Sequence, residues 1–195
     1  MPATTTGAAE KPCARDRLLA AADELFYAEG VQTVGIDRVI ERAGVAKASL
    51  YNSFGSKDAL VRAYLEARHD RTRAAVLEEV ERHDDPRERL VAVFARQARR
   101  LQDADYHGCA FTSASAEAVE GSGAREATQR YRTWLRELLA DLARQAGAAD
   151  PEALGRQLQL VYDGVGASGR VEHDEATGRA ALSAATALID AAISR

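Results

Sequence analysis

Ile36-Asp37-Arg38-Val39-Ile40-Glu41-Arg42-Ala43-Gly44-Val45-Ala46-Lys47-Ala48-Ser49-Leu50-Tyr51-Asn52-Ser53-Phe54-Gly55-Ser56-Lys57-Asp58-Ala59-Leu60 reads as two short helices joined by a tight turn, with a third helix starting at once. Ile36, Val39, Ile40 and Ala43 fall at the i, i+3, i+4, i+7 spacing of one helix face, and Gly44 ends the repeat. The stretch from Lys47 to Phe54 turns Leu50 and Phe54 the same way. Gly55-Ser56 then breaks the chain, with Ser56 placed as an N-cap and Asp58 in a first turn whose dipole favours an anion. Helices this short do not persist alone in water and need a common core. Ile36, Val39, Ile40, Val45, Leu50 and Phe54 supply one, around a turn in which Gly44 is free to take positive φ.

Lys47, Ser49, Tyr51, Asn52 and Ser53 are left to face outward. A charge, two hydroxyls, a phenol and an amide on one face suit phosphate contacts and hydrogen bonds to base edges. Two short helices about a small turn, packed on a longer preceding helix, are also the minimum needed to lay a helix in a major groove. A solvated face on an unrelated helical bundle is the competing assignment.

Outward from this segment the helical pattern continues. Upstream, Leu18, Ala22, Leu25 and Phe26 share a face between Arg15 and Glu29, with Gly30 as a left-handed cap, while residues 1–12 have nothing to bury and are expected to form a disordered arm. Downstream, a long helix runs from Lys57 through Leu60, Val61, Tyr64, Leu65, Ala75 and Val76 to His83-Asp84. Asp85-Pro86-Arg87-Glu88 opens a helix with the face Leu90, Phe94, Ala98 and Leu101. A short helix is expected from Ala110 to Val119, and another along Ala127, Tyr131, Trp134, Leu135, Leu138 and Leu142 to Gly147. Asp150-Pro151 and Asp174-Glu175 open the last two, the second reaching Ser194. The chain is therefore expected to be all-α, about nine helices without a strand. The expected divisions are an arm at 1–12, a helix-turn-helix unit at 13–61 and a larger helical bundle at 62–195, with the boundary inside the long helix.

Composition fits this. Of 195 residues, 46% are apolar and 29% charged, as in an ordinary globular protein. No apolar run nears the roughly 18 residues of a membrane span, and the first residues lack the layout of a signal peptide, so a cytoplasmic protein is expected. The two cysteines, Cys13 and Cys109, make no disulfide framework and read as reduced thiols. Net charge is -4, and Lys and Arg balance Asp and Glu at eight each over residues 10–62. A nucleic-acid face there must come from the placement of charge, not its amount.

Ala43-Gly44-Val45, Leu50-Tyr51, Phe54 and Ser56-Lys57-Asp58-x-Leu60 fall at the spacing of the N-terminal signature of TetR-type transcriptional regulators, which residues 15–62 closely resemble. The resemblance implies a cytoplasmic homodimer that binds a pseudo-palindromic operator in double-stranded DNA. It further implies a repressor, released when a small-molecule inducer fills the C-terminal bundle, and no enzyme, cofactor, catalytic residue or membrane partner. Carried over by position, Lys47, Ser49, Asn52 and Ser53 reach bases or phosphates, Tyr51 and Lys57 touch phosphate, and Thr33 anchors a phosphate as well. Three departures bear on the operator. Val34-Gly35 replaces the usual Thr-Ser pair, Ala46 replaces a Ser cap, and Ser53 stands where His is frequent.

For the C-terminal half, the resemblance implies pairing of two chains through helices eight and nine. Leu154, Leu158, Val161 and Val165, with the small Gly164, Gly166, Ala167 and Ser168, and then Ala181, Ala185, Leu188 and Ala192, would let helices approach closely, whether between chains or within one. Phe94, Phe111, Trp134 and Tyr162, with Tyr131 near them, are candidates for an aromatic pocket holding a largely apolar or aromatic ligand; plain core is the alternative for each. His107-Gly108-Cys109-Ala110-Phe111 resembles a Gly-Cys-x-Phe segment of some family branches and is read as architecture. The histidines at 69, 83, 107 and 173 show no metal-ligand spacing. Glu117 is either a partly buried carboxylate selecting a cationic ligand or a solvated one. An alternative to the induced repressor is a constitutive DNA-bound scaffold or activator with a solid aromatic core.

Overall fold

A computed structural model describes residues 12–172 and 174–193, so the expected arm, apart from Pro12, lies outside the described residues, as does Ser194. Nine helices and no strand occur among them: α1 (Ala14–Glu29), α2 (Ile36–Ala43), α3 (Lys47–Phe54), α4 (Lys57–Glu81), α5 (Pro86–Arg100), α6 (Ala110–Ala116), α7 (Gly123–Gln145), α8 (Pro151–Ser168) and α9 (Glu175–Ile193). Helix α6 stops three residues short of the expected Val119. No described helix is long and apolar enough to cross a membrane.

The first three helices pack on the start of α4 through the residues whose spacing predicted them. Leu18, Ala22 and Phe26 of α1, Val39 of α2, Leu50 of α3 and Leu60, Val61 and Tyr64 of α4 are buried together, with Phe26 edge-on to Tyr64 at 5.6 Å. Leu25, Ile36, Ile40, Val45 and Phe54 are only partly buried at its rim. Gly44 takes the left-handed conformation (φ 61°, ψ 45°), and Arg17 donates to its carbonyl at 3.2 Å, pinning the turn to α1. Gly30 has positive φ (95°) but an extended ψ (152°), so it redirects the chain without forming a left-handed helical cap.

The caps behave as local chemistry dictates. Ser56 accepts from the Ala59 amide, Asp85 from Glu88, Asp150 from Ala153 and Asp174 from Thr177, each at 2.7–3.1 Å. Asp58 does more than favour its own helix dipole, since both its oxygens accept from the Gly123 amide at 3.1 Å, tying the starts of α4 and α7 together.

In the larger bundle α7 packs against α4, α5, α6 and α8. Covered on several sides, it buries Leu139 as well as Tyr131, Leu135 and Leu142, and leaves Trp134 and Leu138 half-buried. Two small residues of α8, Gly155 and Gly166, serve close packing within the chain, whereas Gly164 and Ala167 are exposed. A Cβ on Gly155 would sit 3.0 Å from the Ala140 Cβ, and one on Gly166 would sit 2.7 Å from the Cys109 Cβ. Leu154, Leu158, Val165 and Ala185, offered by spacing for contact between chains, are buried in the chain's own core.

His69, on α4, packs edge-on to Tyr131 (5.7 Å) and tilted against Trp134 (5.2 Å), and its Nε2 is buried without a hydrogen-bond partner. Burial holds its pKa below the ordinary histidine value.

Leu50→Ala is expected to destabilise the fold by about 2–5 kcal/mol in urea denaturation, because α3 buries no other side chain fully. Ser56→Ala should cost about 1 kcal/mol in the same measurement. His69 gives a pH dependence. Below the ordinary imidazole value of about 6.5, the unfolded chain takes up a proton that the folded chain resists. Its contribution is complete above that pH and is lost as the pH falls, so His69→Phe should melt with a shallower loss of Tm from about pH 7.5 to about pH 5.5.

Candidate functional site

Two sites emerge, an outward face on α3 and a cavity in the bundle. On α3, Lys47, Tyr51 and Asn52 are exposed, with Tyr51 keeping 46% of its surface in solvent. Lys47 and Tyr51 are four residues apart and so lie on one stripe. Ser49 and Ser53 are half-buried at its edges, while Thr33 is exposed ahead of α2. Val34 is fully buried, so the side chain that replaces the usual Thr faces the core and offers nothing to a phosphate. Neither Gly35 nor Ala46 caps its helix with a side chain, and the first amides of α2 and α3 keep their donors unclaimed by a cap.

Charge is sorted by pairing. Arg38 forks onto Glu29 at 2.7 and 2.8 Å, Arg42 binds Glu24 at 2.8–3.1 Å, and Asp23 is held by Arg68 and Arg71 at 2.7 Å. Lys47 reaches Asp37 at 3.0 Å, which raises its pKa. With these acids occupied, Arg15, Arg17 and Lys57 have no carboxylate partner among the described residues. The Lys57 ammonium sits 6.0 Å from the Phe26 ring centre, and burial lowers its pKa. Arg15 lies 5.1 Å over the Phe54 ring at the end of α3. Sequence reasoning missed Arg15, yet a cation in the first turn of a helix, where the dipole disfavours it, was a usable signal.

The cavity, of about 110 Å³, lies among the end of α1, α4, α5, the 101–109 loop, α6, α7 and α8. Two of the four aromatic candidates, Phe111 and Tyr162, line it. Phe94 backs Tyr162 edge-on at 6.1 Å, and Trp134 packs beside Tyr131 and His69; neither reaches the lining. Phe111 stacks on Tyr131 at 3.8 Å with the rings 5° from parallel. Beside small and apolar lining such as Gly108, Cys109, Ala110 and Gly166, the wall carries polar side chains that went unread in the sequence: Tyr27, Arg68, Arg96, Gln97, Arg100 and Asp163. Gln97 carried a signal, since it is buried at 6% exposure at a position that continues the Leu90, Phe94 and Leu101 face. Burial raises the pKa values of Tyr131 and Tyr162, so both phenols stay protonated.

Tyr27 joins the two sites. Its hydroxyl donates to the Gly108 carbonyl and accepts from the His107 amide, both at 3.0 Å, while the Arg68 guanidinium lies 3.5 Å over its ring. His107 packs edge-on to the same ring at 5.2 Å. A second link comes from Glu117, whose carboxylate accepts from the Gln32 amide at 2.8 Å and whose carbonyl accepts from the Gln32 side chain at 3.2 Å. Glu117 thus faces the segment before α2, not the cavity, and selects no cationic ligand there.

Residues 18–64 match the family model for bacterial regulatory proteins of the tetR family. The chain is similar to a TetR-family transcriptional regulator from Streptomyces coelicolor, at 31% identity and a TM-score of 0.88 over 92% of this chain and 96% of that one. A Streptomyces avermitilis protein is similar at 34% identity and a TM-score of 0.85, over 93% and 98% of the two chains. Among curated relatives, the regulator TtgR of Pseudomonas putida is 32% identical over 108 residues, covering 50% of this chain and 51% of its own length. The activator FasR of Mycolicibacterium smegmatis is 38% identical over 78 residues, 40% of this chain and 36% of its own. These curated matches span about half of the relatives' lengths or less. Matched across nearly its whole length by a regulator with which it shares almost a third of its residues, the chain belongs to the TetR family of transcriptional regulators.

Proposed function

We propose that this chain is a ligand-responsive repressor: a homodimer that binds a pseudo-palindromic operator through two copies of α3 and lets go when a small molecule enters the cavity. The observation that carries the DNA-binding half is the exposed stripe of Lys47, Tyr51 and Asn52 on a helix without a side-chain cap, beside basic groups left free by the pairing of nearby acids. Unclaimed amides at helix starts suit phosphate oxygens, and the stripe offers both phosphate and base-edge contacts. Tyr51, Lys57, Arg15 and Thr33 take backbone phosphates, and Asn52, Lys47, Ser49 and Ser53 contribute to base readout or its edges.

Pairing of two chains is supported by α8 and α9. Leu160 is 69% exposed and lies on the outer side of α8 with Gly164 and Ala167. The outer side of α9 shows Ala180, Ser183, Ala184, Ala187 and Ala191. A large apolar side chain among small ones suits a close, self-complementary helix contact. Release follows if the cavity prefers a dimer whose two α3 helices are wrongly spaced, through Tyr27 and the Gln32–Glu117 link. Repression comes from a dimer occupying promoter DNA. The similarity to an activator makes the sign of regulation a separate measurement, read by a promoter fusion in cells with and without the gene.

Gel shifts on genomic fragments selected by the purified protein test the reading, and failure to bind any palindromic site at low salt with the dimer intact would reject it. Lys57→Ala and Tyr51→Ala should weaken binding to all sequences, and Lys57→Ala should lower the salt slope by about 1. Asn52→Ala should instead change the preference among sequences, by about 1–3 kcal/mol at the affected base pair. Leu160→Arg is expected to give monomers in sedimentation equilibrium and to abolish operator binding without loss of helicity.

A further inference from the structure

We infer that the cavity beside Arg96 and Gln97 takes a single-ring aromatic monoanion carrying a hydrogen-bond donor, such as a hydroxylated benzoate; this rests on the reading of the chain as ligand-responsive. Charge defines the first requirement. Three guanidiniums border the cavity, yet Arg68 is paired with Asp23 at 2.7 Å and Arg100 with Asp103 and Asp105 at 2.9 and 2.6 Å. The one carboxylate in the wall, Asp163, is paired with Arg132 at 2.6 Å. Arg96 has no carboxylate partner among the described residues. Asp23 is shared with Arg71, so the five guanidiniums of Arg68, Arg71, Arg96, Arg100 and Arg132 face the four carboxylates of Asp23, Asp103, Asp105 and Asp163, an excess of one positive charge that one negative charge on a ligand would match and a second would exceed.

Gln97 defines the second requirement. Its Nε2 donates to the Tyr162 carbonyl at 2.8 Å, which fixes the amide orientation and leaves Oε1 buried without a partner. The side chain is 6% exposed and lines the cavity, and an unmatched buried acceptor is a standing cost that a donor on the ligand removes. Shape supplies the third. The stacked Phe111 and Tyr131 present aromatic walls, and the cavity of about 110 Å³, smaller than the roughly 150 Å³ that holds benzene in an apolar cavity, limits the ligand to one small ring whose substituents extend into the open mouth. A largely apolar ligand, the expectation from the aromatic residues alone, would leave both Arg96 and Gln97 unanswered.

Isothermal titration of the full chain with 4-hydroxybenzoate, 3-hydroxybenzoate, benzoate and the two methyl hydroxybenzoates tests this. At least one hydroxybenzoate should bind about tenfold or more tightly than both its ester and benzoate, as loss of a charge-assisted or buried hydrogen bond implies. Arg96→Gln should bring acid and ester within about threefold of each other, and Arg96→Lys should retain the preference for the acid. Gln97→Met, which keeps volume but removes the acceptor, should erase the preference for the hydroxylated acid over benzoate. Esters binding as well as acids, a preference unchanged in Arg96→Gln, or no hydroxybenzoate binding at millimolar concentration would each overturn the inference. Release of DNA by a neutral compound, with no hydroxybenzoate bound, would overturn it and leave the repressor reading standing. Hydroxybenzoate binding that leaves operator affinity unchanged would support the cavity's ligand class and count against the repressor reading.

Discussion

The α3 face and the cavity are joined along α4, one unbroken helix of 25 residues with neither proline nor glycine to bend it. At 1.5 Å per residue it is about 37 Å long, enough to run from beneath the α3 face into the bundle. Its first turns bury Leu60, Val61, Tyr64 and Leu65 in the core shared with α1, and its last turns bury Val76 and Val80. Between these ends lies Arg68, at once a partner of Asp23, a cover for the Tyr27 ring and part of the cavity wall. A helix so anchored does not let either end shift alone.

Around this rod the hydrogen bonds from the α1–α3 unit to the bundle are Tyr27 to the 107–108 backbone and Gln32 to Glu117, while Asp58 and Arg62 tie the first turns of α4 to the Gly123 amide and Glu126 of α7. Bonds of this kind at partly exposed sites are individually weak. That is the useful regime for a switch, since a ligand moves an equilibrium only by its differential affinity for two states, typically about 1–3 kcal/mol. A large apolar interface in the same place would hold one arrangement against any small molecule.

What could be read from the sequence follows from how local each feature is. The four caps at Ser56, Asp85, Asp150 and Asp174 depend on three or four consecutive residues and were legible, as was the outward stripe of α3, which depends on helical period over two turns. The cavity was not. Its wall takes Tyr27 and Gly108, 81 residues apart, and no periodicity connects them. On α5, Gln97 shares the inward face of Leu90, Phe94 and Leu101, but an amide at such a position breaks the apolar pattern, which passes instead through its neighbour Ala98. Of the small residues of α8 expected to allow close approach, Gly166 does so, against Cys109 of the same chain, while Gly164 meets nothing within 4 Å and Ala167 is exposed; spacing could not tell these cases apart. Leu160 escaped notice because one leucine on a side otherwise made of polar and small residues leaves no period to detect.

The separation of the two α2–α3 units in a dimer tests the account most directly. A nitroxide on a cysteine replacing Glu41, an exposed residue of α2, in a Cys13→Ser, Cys109→Ala background, reports that separation by electron–electron dipolar spectroscopy. The account requires a narrow distance distribution on operator DNA, consistent with recognition helices one or more helical turns apart, and a displaced distribution once a compound that releases DNA is bound. The same distribution in the DNA-bound and compound-bound dimers would contradict it.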